Sequence, residues 1–197
     1  MKNYEKTLPE GYKQTFHVDA TDKKTGLIFN VIALIPLILV LAVVLLTARE
    51  GSKFDWLAIE NVWILFLLVV LLFFYIVLHE LVHGIAYKAL TKQKLTFGLK
   101  WSCAFCGVPN IYVYRKTALI ALLAPFVVFS VIFLTLTVFF GVIQSVLYIP
   151  FGVLFGMHLG GCSGDLYMTW LLVAKYKDPA LLMKDTGPEQ FLYLAEK

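Results

Sequence analysis

Apolar positions in this chain fall into four long runs rather than the alternation of a half-buried strand or the three-four spacing of an amphipathic helix. Leu27 to Leu46 is broken only by Asn30 and Pro36. Twenty residues of α-helix rise about 30 Å, the thickness of a bilayer's hydrocarbon core, so 27–46 predicts a first membrane span. Similar runs predict spans at 62–90, at 118–140, where Pro125 loosens the helix, and at 146–174, which is rich in glycine. The first 26 residues are polar and lack the short apolar stretch and small-residue site of a signal peptide, so the expectation is a retained N-terminal segment.

The polar segments between the runs read differently from one another. The connector 47–61 carries Arg49, Glu50, Gly51, Ser52 and Asp55, and Trp56 and Trp63 suit an interfacial belt. From 91 to 116, KLTFGLKW and IYVYRK show partial period-two alternation around Gly107, Pro109 and Asn110, which predicts a short β-hairpin. In the tail, 175–197, Asp178 and Pro179 stand in N-cap and N1 order, predicting a short surface helix stopped by Gly187 and Pro188. The expected fold is an all-α membrane protein of one domain, 1–197: four transmembrane helices with a short cytoplasmic β-hairpin between helices 2 and 3.

Composition strengthens the membrane reading. The 197 residues are 60% hydrophobic and 15% charged, and the mean hydropathy is +0.80, well beyond a soluble domain. Of 17 Lys and Arg residues, only Arg49 and Lys53 fall in segments expected outside if both termini are cytoplasmic. The positive-inside rule therefore places both termini in the cytoplasm. The net charge of +4 speaks for anionic lipid contact, and a nucleic-acid partner is not expected. Three cysteines are too few, and odd in number, for a disulfide framework. Cys103-x-x-Cys106, without a second pair, is a weak signal for a zinc ribbon or redox pair.

Chemistry enters near the end of the second run, in VLHELVHGIA. Ionisable groups at membrane depth cost at least about 2.5 to 3.5 kcal/mol, so these need compensation. His79, Glu80 and His83 form H-E-x-x-H. On a helix, histidines four apart project from one face and can share a metal, zinc in the first instance, while Glu80 can deprotonate an attacking water.

A catalytic zinc needs one more protein ligand. The fourth run offers His158, Cys162 and Asp165 on one stripe. Asp165 lies ten residues before Lys175, and His79 and His83 lie nine and five before Lys88, so the two sets match in depth. Asp165 is therefore chosen as the third ligand. His158 is about 10 Å of helix rise away; it is either a supporting donor, for example to an oxyanion, or a packed neutral histidine. Gly152, Gly156, Gly160 and Gly164, with Gly161 beside them, would permit close helix approach and bring Asp165 toward the histidines. Asn30 and Pro36 are expected to mark a kink or a helix contact.

HELVHGIAYK, YVYRKTALIALLAPFVV, HLGGCSGDLYMTWLL and the tail DTGPEQFLYL together resemble the bacterial zincin peptidases of the DUF3267 family and, more distantly, the site-2 proteases. The resemblance implies a bacterial, multi-pass membrane zinc metallopeptidase with His79, His83 and Asp165 as ligands and Glu80 as catalytic base. This chain has GCSGDL where site-2 proteases carry Asn and Pro before Leu-Asp-Gly, so their substrate clamp is not carried over. The expected partners are a membrane protein or peptide substrate, cut near the cytoplasmic face, and the lipid bilayer. The alternative is a non-proteolytic membrane metal-binding or carrier protein; haem is disfavoured, because histidines four apart on one helix cannot straddle a macrocycle.

Overall fold

A computed structural model describes residues 2–49, 62–100 and 104–196. The connector features at Glu50, Gly51, Ser52, Lys53, Asp55 and Trp56, and also Cys103, lie outside these residues. The chain runs β1 (Tyr4–Glu5), β2 (Tyr12–Asp19), α1 (Lys23–Thr47), α2 (Val62–Thr91), β3 (Thr96–Leu99), β4 (Ala104–Gly107), β5 (Tyr112–Tyr114), α3 (Arg115–Val142), α4 (Tyr148–Gly161), α5 (Ser163–Trp170), a π-helical turn (Leu171–Lys175), β6 (Leu182–Asp185) and β7 (Glu189–Ala195).

Three of the four apolar runs became long helices. α1 begins at Lys23, a turn before the apolar run, because the Asp22 carboxylate accepts both the Thr25 N–H and hydroxyl at 2.9 Å and caps the helix. α2 ends at Thr91, where Lys92 takes a left-handed φ of 57° and its N–H returns to the Lys88 carbonyl. α1, α2 and α3 are each long and apolar enough to cross a membrane, yet their most apolar windows are only 6%, 17% and 28% buried. Most of that hydrocarbon faces outward, where lipid is the fitting cover.

The expected single helix over 146–174 is instead broken after Gly161 into α4 and α5, followed by the π turn. Gly160, Gly161, Cys162, Ser163 and Gly164 are all weak helix formers, so the chain is least held to one helix there.

The all-α expectation is also corrected. Five strands form an antiparallel sheet in the order β1-β5-β6-β7-β2, and β3 and β4 form a second, two-stranded sheet. The hairpin between α2 and α3 exists, but it pairs Thr96 with Gly107 and Leu99 with Ala104. The Gly107, Pro109, Asn110 segment is its exit, leading to β5 in the other sheet. The tail is two strands, not a helix. Asp185 accepts the Gly187 N–H at 2.8 Å and Gly187 adopts φ 101°, which turns β6 back on β7, while β7 finds a partner in β2.

Two compact units arise. The first comprises Met1–Ile28, Leu78–Pro125 and Gly164–Lys197; every strand belongs to it, and its core includes Tyr87, Val113, Leu122, Met168, Leu172 and Leu192. The second comprises Phe29–Val77 and Phe126–Ser163. There the glycine stripe seats α4 on α1: added Cβ atoms at Gly152, Gly156 and Gly160 would meet Val44, Leu37 and the Ala33 carbonyl, whereas one at Gly164 would meet nothing within 4 Å. The stripe thus serves an α1–α4 contact, not the expected approach of Asp165 to the histidines.

Candidate metal centre

His79, Glu80 and His83 lie within the last four turns of α2, in the first unit. Helical spacing puts His79, His83 and Tyr87 on one face. His79 and His83 are each 7% exposed, and their rings meet edge to face with centroids 5.0 Å apart.

Asp165, in the first turn of α5, reaches the same place. Its Oδ2 lies 3.3 Å from His79 Nε2 and 3.2 Å from His83 Nε2. One nitrogen from each ring and one carboxylate oxygen lie within 4.8 Å of one another. The predicted trio is therefore brought together.

The hydrogen bonding of His83 decides what this closeness means. Its Nδ1 lies 2.8 Å from the Ala121 carbonyl oxygen, a pure acceptor, so Nδ1 carries hydrogen and donates. In the neutral ring Nε2 is then a lone pair, aimed at a carboxylate oxygen that is also an acceptor. Two acceptors at 3.2 Å need a proton or a cation between them. Four donors at roughly 2.05 Å from a tetrahedral zinc lie about 3.3 Å from each other, which is the spacing Asp165 makes with both imidazoles. The carbonyl behind His83 is also the usual support for a ligating imidazole. The donor set fits zinc.

Glu80 is half-buried beside the trio and accepts a hydrogen bond from the Cys106 backbone in β4. Gly84, one turn on, lets the hairpin approach: a Cβ there would stand 2.7 Å from the Phe97 ring. The hairpin therefore lies against the face of α2 that carries Glu80. Phe97 and Leu99 remain exposed on it, Leu99 at 78%.

Two residues of this neighbourhood escaped the sequence reading. Tyr87 donates to Asp185 Oδ2 at 2.6 Å, both being buried, and the Asp185 carbonyl accepts from Val108 N at 2.9 Å. The Asp185 turn thereby holds both α2 and the exit of β4. The His79, His83, Tyr87 stripe was a usable signal for Tyr87; nothing in the sequence paired Asp185 with it. Burial pushes the Asp185 carboxyl up to about 6, against the opposing effect of its hydrogen bonds from Tyr87 and Gly187. Burial, with the nearby Asp185 and Glu80 charges, pushes the Cys106 thiol up to about 12. Cys106 is thus a protonated, buried thiol and a poor thiolate ligand.

His158 belongs to the second unit, fully buried. Tyr75 OH lies 3.0 Å from its Nδ1, Ser130 Oγ 3.1 Å and the Phe126 carbonyl 3.3 Å from its Nε2. Phe126, Phe129 and Phe133 surround the ring. Within its unit it is a packed, hydrogen-bonded histidine.

Residues 72–179 match the model of the DUF3267 family, described as "Putative zincin peptidase". No curated protein and no solved structure matches the chain. The matched stretch contains His79, Glu80, His83 and Asp165.

Proposed function

We propose that this chain, which belongs to the DUF3267 family, is a membrane-embedded zinc endopeptidase that hydrolyses a peptide bond of a membrane protein near the cytoplasmic face. The observation that carries the reading is the convergence of two imidazole nitrogens on one Asp165 oxygen at 3.3 and 3.2 Å, with the His83 tautomer set by Ala121.

His79, His83 and Asp165 would hold the zinc, which when bound lowers the pKa of water toward 7 and polarises a peptide carbonyl. Glu80 takes the proton of the attacking water on its carboxylate and returns it to the leaving amine. Its hydrogen bond from the Cys106 backbone orients that carboxylate before substrate arrives.

A helical peptide bond is already hydrogen-bonded and shielded, so a substrate helix must unwind before its carbonyl is reached. The β3–β4 hairpin, lying against the Glu80 face of α2, is placed to hold such a segment as an added strand. Both termini lie in the cytoplasm in this reading, with the five-stranded sheet.

Glu80→Gln separates the peptidase from a metal carrier. The variant should keep zinc within about threefold of the parent while losing at least about 100-fold in cleavage of a co-expressed single-span protein. Cleavage that survives the substitution overturns the peptidase assignment.

A further inference from the structure

Away from the metal centre, a cavity of about 560 Å³ opens at the N-terminus of α3. Lys2, Arg115, Lys116 and Thr117 line it, with Leu119 and Pro179 as apolar wall. We propose that this cavity binds a phosphate group, carried by an anionic phospholipid or free.

Three features converge on an anion. The first N–H groups of a helix have no partner within it, and the helix dipole adds positive potential there. Arg115 N is taken by the Leu181 carbonyl, which leaves the following N–H groups of the first turn directed out of the helix. Arg115 Nε donates to the Leu172 carbonyl at 2.7 Å, fixing the guanidinium while its other N–H groups stay available. Lys2 shares its charge with Glu5 at 2.7 Å, and Glu5 is itself held by Tyr114 OH at 2.6 Å, so among the described residues Arg115 and Lys116 supply the charge that no carboxylate pairs.

Thr117 adds an independent indication. It is 2% exposed, it lines the cavity, and among the described residues its hydroxyl makes no hydrogen bond. Its oxygen is therefore open toward the cavity and free to donate to an incoming phosphate oxygen.

Position favours a lipid source. α3 has 28 residues, about 42 Å of helix, so its first turn extends past a hydrocarbon core of about 30 Å into the headgroup layer. The volume exceeds what phosphate alone needs and suits a headgroup with the first carbons of its chains.

The test uses the purified full-length protein in detergent, with thermal unfolding read against added phosphatidylglycerol, phosphatidylcholine or inorganic phosphate. Phosphatidylglycerol should stabilise the parent more than phosphatidylcholine at equal concentration. Lys116→Gln and Thr117→Val should each weaken that effect about fivefold in apparent affinity. Without lipid, Thr117→Val should melt no lower than the parent, because its hydroxyl makes no bond to lose. Inorganic phosphate that competes with the lipid, with the same dependence on both side chains, assigns the site to free phosphate; lack of competition assigns it to the headgroup. Equal stabilisation by the two lipids with no effect of phosphate, or unchanged affinity in both variants, overturns the proposal.

Discussion

Asp165→Asn tests the metal centre at the point where its geometry admits two explanations. The 3.3 and 3.2 Å approaches of Asp165 Oδ2 to His79 and His83 suit either a shared cation or a buried ion pair with a protonated imidazole. They differ in what the carboxylate does for zinc. Zinc-site affinities of about 10 to 16 kcal/mol over four donors give roughly 3 kcal/mol per donor, so losing the carboxylate should weaken zinc binding about 150-fold. With zinc removed, a proton must sit between the same two groups, so the metal-free variant should lose that buried ion pair, about 3 to 5 kcal/mol or a fall of roughly 10 °C for a chain of this size, whichever explanation holds. Competition against a fluorescent zinc chelator gives the affinity, and calorimetry after exhaustive chelation gives the melting temperature. Zinc affinity within threefold of the parent refutes the shared-cation argument.

Three more outcomes follow from the geometry. The Asp185 carboxyl, pushed up to about 6, is held in its acid form by the fold, so its contribution is complete below about pH 4 and is lost as pH rises through about 6. At pH 8 the loss is about 3 kcal/mol, and the melting temperature of the parent should fall from pH 5 to 8 by more than that of Asp185→Asn; equal slopes would remove the assignment. Gly160→Ala pushes a Cβ into the Ala33 carbonyl and should cost about 1 to 3 kcal/mol, whereas Gly164→Ala meets nothing within 4 Å and should be neutral or stabilising by up to about 1 kcal/mol, both read by thermal unfolding; similar losses at the two sites would contradict the α1–α4 packing. Reporter fusions at residues 1 and 197 should both read cytoplasmic, and opposite readings would break the proposed topology.

What the sequence made legible was decided by how local each cause is. A run of hydrocarbon long enough for a bilayer needs no partner to be recognised, so α1, α2 and α3 begin and end within a few residues of the expected bounds. His79, Glu80 and His83 are fixed relative to one another by helix geometry alone. Asp165 was reachable because charge marks depth: basic residues at the ends of two spans served as rulers for side chains 86 residues apart. The strands had no such local cause. β5 has three residues and β1 two, too short for periodicity to register, and each is a strand because of a neighbour far away in sequence. In the tail, Asp178-Pro179 signals a turn as readily as a helix start, and the pairing with β2 decided it.

That pairing also constrains the spans. β2 precedes α1, β5 lies between α2 and α3, and β7 follows the last helix, yet all three belong to one sheet. A hydrogen-bonded sheet cannot straddle a bilayer, because the strands would have to leave unpaired backbone in hydrocarbon. If α1 crosses, α2 must return before β5, and if α3 crosses, the chain must return before β6. Only α4, α5 and the π turn stand between α3 and β6. On that condition they complete the return together, although neither α4, with 14 residues, nor α5, with 8, has the length to span alone. If α3 crosses, the break after Gly161 falls within that return, and in the structure it puts Asp165 in the first turn of a new helix rather than deep in an old one.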